Sequence, residues 1–175
     1  MTHCPDFPCV ARNITMLVRR ASKTDHPAIW RIIGPTIRAG ETYALDRDMT
    51  EADAIAYWFG EGRETFVAEE DGEITGTYYI RANQAGAGKH ICNCGYMVSS
   101  DATGRGVARA MCLHSLDYAR RHGYRGMQFN FVVSSNTRAL KLWESLDFEI
   151  VGRVPQAFDH PKFGYIDAFV MFRSL

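Results

Sequence analysis

The run "SSDATGRGVARAMC", residues 99–112, constrains the fold more than any other stretch of the chain. The apolar segment "ICNCGYMV" leads into it, Gly104 and Gly106 remove two Cβ atoms from the turn, and a helical pattern follows from Val107 to His122. Along that helix Ala108, Met111, Cys112, Ser115 and Ala119 share one face of mostly small groups, suited to close packing on a sheet. Where a strand turns into a helix, bare backbone lets several N–H groups converge, and their dipoles add to the positive end of the helix. Such a nest suits a pyrophosphate, with Arg105 and Arg109 adding positive charge at its rim. By spacing alone, an ordinary glycine turn fits equally well. The run is neither a P-loop, which needs Gly-Lys-Ser/Thr, nor a dinucleotide fingerprint, which needs a third glycine.

The remaining pattern alternates strands and helices. "MLVRRAS" from Met16 predicts a first strand, preceded by a 15-residue extension with Pro5 and Pro8 and no periodicity. "TDHPAIWRIIGPTIRAG" predicts a helix capped by Thr24 or Asp25, with Ile29, Ile32, Ile33 and Ile37 inward and Pro35 as an interruption or kink. "MTEADAIAYWFGEG" predicts a second, capped by Thr50 and stopped at Gly60 or Gly62. "TFVAEE" and "EITGTYYIRAN" are joined by Asp71-Gly72, the dipeptide of a tight hairpin. Gly95 predicts a bulge in the strand that follows. "GMQFNFVV", the short helix "NTRALKLWESL" and two closing strands complete an α/β (α+β) domain, a sheet with helices packed on it, over residues 16–175.

Charge and cysteine usage narrow the function. With 20 Lys plus Arg against 20 Asp plus Glu, no bulk field draws the chain to nucleic acid or to an anionic membrane. No apolar run reaches the roughly 18 residues of a membrane span, and the N-terminus lacks the apolar centre of a secretion signal, so the expected compartment is the cytoplasm. Five cysteines at irregular positions predict reduced thiols rather than a disulfide framework. His90, Cys92 and Cys94 share a strand face, and His3, Cys4 and Cys9 sit near the start, but neither set has zinc-knuckle spacing, so no metal is expected.

Two motifs in order then carry a resemblance. "YMVSSDATGRGVARAM" resembles motif A of the GCN5-related N-acetyltransferases (GNAT), with Thr103-Gly104-Arg105-Gly106-Val107-Ala108 at its signature, and "NTRALKLWESLDFEIVG" resembles motif B. The resemblance spans residues 16 to 172. It implies the GNAT acyltransferase fold: a mixed, mostly antiparallel twisted sheet of six to seven strands flanked by about four helices, with a central V-shaped cofactor cleft. It also implies acetyl-CoA as cosubstrate, its pyrophosphate on residues 103 to 109 and its pantetheine arm between the strands ending near Val98 and Val133. Met97, Val98, Thr103, Gly104, Arg105, Gly106, Val107, Ala108, Arg109, Asn136 and Trp143 are the implied cofactor contacts, and many relatives form homodimers. Two departures stand out: Thr103 replaces the usual Arg or Gln, and Trp143 replaces the Tyr that protonates the leaving thiolate in many members. Indole is far too weak an acid for that task.

A backbone N–H at Met97 or Val98 is the expected oxyanion donor. His90, Tyr96, Glu69, Glu70 and a water held by Asn130 all stand as general-base candidates, and the sequence does not choose among them. Asn93 and Asn130 interrupt two central apolar strands, where a buried amide needs a hydrogen bond, from a polar ligand or from a neighbouring strand. Within the family, "HICNCGYMV", "MQFNFVVSSN" and "LWESLDFEIVGRVPQAF" are similar to the subgroup, known from yeast with bacterial relatives, that acetylates and detoxifies proline analogues such as L-azetidine-2-carboxylate. That similarity implies an acceptor pocket of Asn93, Asn130 and the Phe131 backbone, with a small cyclic secondary amino acid as substrate; Val98, through its N–H, and Asn130, through a held water, are the expected catalytic residues. Another amine (an antibiotic, a polyamine, a protein N-terminus) and a non-catalytic acyl-CoA sensor are the rival readings.

Overall fold

The computed structural model describes residues 16–175, and the predicted N-terminal extension, with its His3, Cys4 and Cys9, lies outside them. Seven strands form one sheet: β1 (Met16–Arg20), β2 (Glu64–Glu70), β3 (Glu73–Ala82), β4 (Ile91–Val98), β5 (Gly126–Val133), β6 (Glu149–His160) and β7 (Gly164–Ser174). Their order is β1-β2-β3-β4-β5-β7-β6. Every neighbouring pair is antiparallel except β4 and β5. That parallel pair is joined only at Ile91 with Gly126 and Cys92 with Met127. Beyond those residues the two central strands part.

The helices α1 (His26–Ala39), α2 (Glu51–Trp58), α3 (Val107–Arg121) and α4 (Thr137–Glu144) divide between the two faces. On one face the predicted Ile29, Ile32, Ile33 and Ile37 of α1, with Trp58 of α2, pack on Val67, Tyr79 and Met97. On the other, Met111, Cys112, Leu116 and Ala119 of α3 meet Tyr78, Ile80 and Cys94, and Trp143, Leu146 and Phe148 join the same core. Cys92, Cys94 and Cys112 are free and buried. Among the described residues no helix is long and apolar enough to cross a membrane.

Local chemistry explains most of the elements. Asp71 (φ 50°) and Gly72 (φ 83°) both take the left-handed conformation of a two-residue hairpin turn. Thr50 Oγ1 accepts from Asp53 N–H and starts α2, which ends at Trp58, two residues before Gly60. The bulge expected at Gly95 is absent, and α1 differs in detail from the sequence pattern. Helix α1 runs through Pro35 without a break, supported by the isoleucines it buries. Its capping residue Asp25 turns backward to Ser22 and to Arg19, at 2.9 and 3.0 Å, instead of forward onto the helix. Gly95 pairs in register with Tyr79 and makes no bulge; of the sheet's irregularities, the one beside the gap lies on β5, between Phe129 and Val132.

Candidate active site

The glycine turn has the geometry of an anion nest. Gly104 and Gly106 take φ of 88° and 86°, which only glycine adopts without strain, and Gly106 is the N-terminal cap of α3. The first-turn N–H groups of Val107, Ala108 and Arg109 have no preceding helical carbonyl to bond, so they remain available to a ligand at the positive end of a 15-residue helix. A cavity of about 420 Å³ opens over them, walled by Val98, Thr103, Gly104, Val107, Arg109 and Arg138 among others. Arg109 reaches Ser145 Oγ at 3.1 Å and keeps its charge at the rim.

Arg105 does not take the expected place. Its guanidinium pairs at 2.6 Å with the buried carboxylate of Glu70 on the β2–β3 hairpin, and its N–H donates to Ala102 C=O at 3.3 Å. The second cation belongs to Arg138, which stands close enough to Gly104 that a Cβ there would lie 3.4 Å from its Nη2. The sequence signal was present in the first turn of α4, two residues after Asn136. Met97 is a second correction: 3 % exposed, it packs in the α1/α2 core layer and lines neither cavity.

The open edge of β4 presents backbone N–H groups that β5 does not pair. Asn83 N–H donates to Ile91 C=O at 2.8 Å and Ser99 N–H to Thr75 C=O at 2.9 Å, which fixes the alternation of β4. The N–H groups of Asn93, Gly95 and Met97 therefore point to β3, and those of Cys94, Tyr96 and Val98 point into the gap left by β5. At Tyr96 the carbonyl on that edge is already bonded, by Tyr43 O–H at 2.9 Å. Val98 N–H thus faces the gap at the end nearest the nest, and Met97 N–H does not.

On the opposite face of the sheet lies a second cavity, of about 350 Å³. Both cavities share Tyr96, Asn136, Ala139 and Trp143, so they meet through the opening between β4 and β5. Asn136 caps α4, its Oδ1 accepting from Ala139 N–H at 3.2 Å. Trp143 packs among Tyr96, Phe129 and Phe148 at the junction.

The predicted asparagines line this second cavity, and only one of the two is buried as expected. Asn93 is buried, but its Nδ2 donates to Gln128 C=O at 2.9 Å and ties the parting strands together. Asn130 is exposed rather than buried, because the β5 irregularity turns it and Phe131 outward together. Its amide forms a ladder, accepting from Gln128 Nε2 at 2.8 Å and donating to Asn83 Oδ1 at 2.7 Å. Tyr43, Tyr57, Tyr79 and Arg81, which the sequence reading did not single out, complete the wall. Burial raises the Tyr79 phenol above its ordinary value, reinforced by Tyr57 and opposed by Arg63 and Arg81.

None of the side-chain base candidates presents its titratable group to the gap. His90 lies in the turn before β4, exposed, with Nδ1 at 3.0 Å from Ala87 C=O. Glu69 is held by Arg19 and Glu70 by Arg105. The Tyr96 hydroxyl turns into the core against Ser115 Oγ at 2.6 Å, and burial holds its pKa well above the ordinary phenol.

Comparison with known proteins agrees with this geometry. The model of the acetyltransferase (GNAT) family matches residues 28–148. A GCN5-related N-acetyltransferase from Kribbella flavida superposes with a TM-score of 0.87 at 43 % identity, over 91 % of this chain and 98 % of that one. The yncA protein of Salmonella typhimurium, solved with its cofactor acetyl-CoA, superposes at 0.80 with 25 % identity, over 92 % and 94 % of the two chains. The N-acetyltransferase aca1 of Schizosaccharomyces pombe is 29 % identical over 188 aligned residues, covering 95 % of this chain and 88 % of its own.

Proposed function

Since this chain belongs to the acetyltransferase (GNAT) family, we propose that it transfers the acetyl group of acetyl-CoA to the nitrogen of a small cyclic secondary amino acid such as L-azetidine-2-carboxylate or another proline analogue. One observation carries the reading: two cavities on opposite faces of the sheet meet where β4 leaves β5, one built for an anion and the other for a polar small molecule.

The residues present fit the cosubstrate. Gly104 and Gly106 leave the main chain bare, the first-turn amides of α3 point outward, and Arg109 and Arg138 flank them with positive charge. Bound there, acetyl-CoA supplies an activated thioester. Val98 N–H is the donor this chain offers to negative charge developing on the carbonyl oxygen, and losing such a donor typically costs ~10²-fold in rate. Holding the amine and the carbonyl together across the gap supplies a further share of the acceleration. Asn93, Asn130 and the backbone at Phe131 receive the acceptor from the far face.

Release of free CoA thiol from acetyl-CoA tests the reading against a panel of azetidine-2-carboxylate, proline analogues, polyamines and aminoglycosides. Turnover concentrated on the cyclic amino acids is expected. Turnover on polyamines or aminoglycosides instead would reassign the acceptor, and cofactor binding with no thiol release on any amine would make the protein an acyl-CoA sensor.

A further inference from the structure

Among the described residues, the wall of the acceptor cavity contains one charged side chain, Arg81, and no carboxylate. Arg81 sits directly opposite Asn93 in the β3–β4 register, so the two side chains leave the same face of the sheet at neighbouring positions. Its Nε is buried and has no hydrogen-bond partner among the described residues. Arg63 Nε is likewise buried without a partner, but its guanidinium lies against two aromatic rings, 4.0 Å from the Tyr57 centroid and 4.7 Å from Tyr79. Arg81 has no such cover and lines the cavity.

A buried guanidinium donor left without an acceptor is costly. Its best-matched partner is a carboxylate, which meets the planar fork with two parallel hydrogen bonds. We propose that Arg81 is the carboxylate receptor of the acceptor site, so that the substrate binds as an amino acid with its carboxylate on Arg81 beside Asn93 and its nitrogen toward the gap. The inference rests on the reading that this cavity takes the amine, and adds what the cavity selects.

Two consequences follow for the chemistry. A polycationic amine meets no counter-charge in this wall and is repelled by Arg81. A guanidinium held near the acceptor ammonium also lowers its pKa, since like charges disfavour the protonated form. The site thereby enriches the neutral amine that acetyl transfer consumes, without a carboxylate base in its wall.

The test uses a ligand that cannot react. Cyclobutanecarboxylate has the ring and the carboxylate but no nitrogen, and is titrated by calorimetry into the full-length protein saturated with CoA. Binding to the unmodified protein is expected, weakened about tenfold or more by Arg81→Gln and less by Arg81→Lys, with CoA affinity retained in both variants as the check on folding. In turnover, kcat/KM is compared for two acid and amide pairs, azetidine-2-carboxylate with its carboxamide and alanine with alaninamide. The acid should be preferred, and Arg81→Gln should lower the acid about tenfold more than the amide. No binding of cyclobutanecarboxylate, or equal loss on acid and amide, overturns the proposal. Acid preference in the alanine pair without turnover of the ring acid would remove the cyclic substrate and leave the role of Arg81 standing.

Discussion

A methyl group at Gly95 would stand 2.7 Å from Cε1 of Tyr79 and 3.0 Å from its hydroxyl oxygen. Glycine there makes room for the cross-strand ring that walls the acceptor cavity. Gly95→Ala is expected to cost about 1–3 kcal/mol, the usual range for overpacking, and to raise the amine KM while acetyl-CoA affinity holds. Thermal unfolding and steady-state kinetics read the two effects separately. Asn130→Ala breaks the ladder between Gln128 and Asn83, and should raise KM for the acceptor about tenfold with the dissociation constant for acetyl-CoA unchanged. Equal loss of cofactor binding would move Asn130 to the donor site. At this scale the sequence was least transparent. A strand glycine signals either a bulge or a close approach, and only the pairing with Tyr79 decides between them. Arg105 and Arg138 look alike on paper, but Glu70, 35 positions upstream, takes the first away from the nest.

At the scale of elements, the strand, glycine turn and helix were legible because their chemistry is local. Positive φ at Gly104 and Gly106 is required wherever the turn sits, and so is the Asp71-Gly72 hairpin. The exposure of Asn130 was hidden, because the irregularity in β5 is set against β7, more than 30 residues further on. The nest itself yields a controlled experiment. Gly106 and Gly62 both have positive φ, 86° and 73°, with nothing within 4 Å of an added Cβ, so alanine at either introduces a similar strain of about 1–2 kcal/mol. Only Gly106→Ala should weaken acetyl-CoA in calorimetry, because only Gly106 caps the helix proposed to hold the pyrophosphate. Comparable weakening by Gly62→Ala would separate strain from the nest.

The whole molecule is a sheet pierced at one point, with separate cores on its two faces and a cavity on each side of the gap. That arrangement was legible in outline from the order of strands and helices; which face receives which ligand was not, since it depends on the alternation of β4. The α3 face also carries a pH signature. His114 Nδ1 shares a hydrogen bond with the Tyr78 hydroxyl at 2.7 Å, and desolvation lowers the imidazole below its ordinary value. The folded state therefore prefers neutral His114. Stability is full above the unfolded imidazole pKa of about 6.5 and falls as pH drops below it toward the lower folded value. Thermal midpoints measured between about pH 7.5 and 5.5 should decline, and His114→Gln should flatten that slope.

The claim that most needs testing is that donor and acceptor meet through the sheet from opposite faces. A crystal structure of the protein with CoA and azetidine-2-carboxylate tests it directly. The account predicts the pyrophosphate on the amides of residues 104 to 109, the thiol in the gap beside Val98 N–H, and the amino acid on the α1/α2 side against Asn93 and Asn130. A cofactor and amino acid bound on the same face, or a glycine turn left without contact to the phosphates, would contradict it.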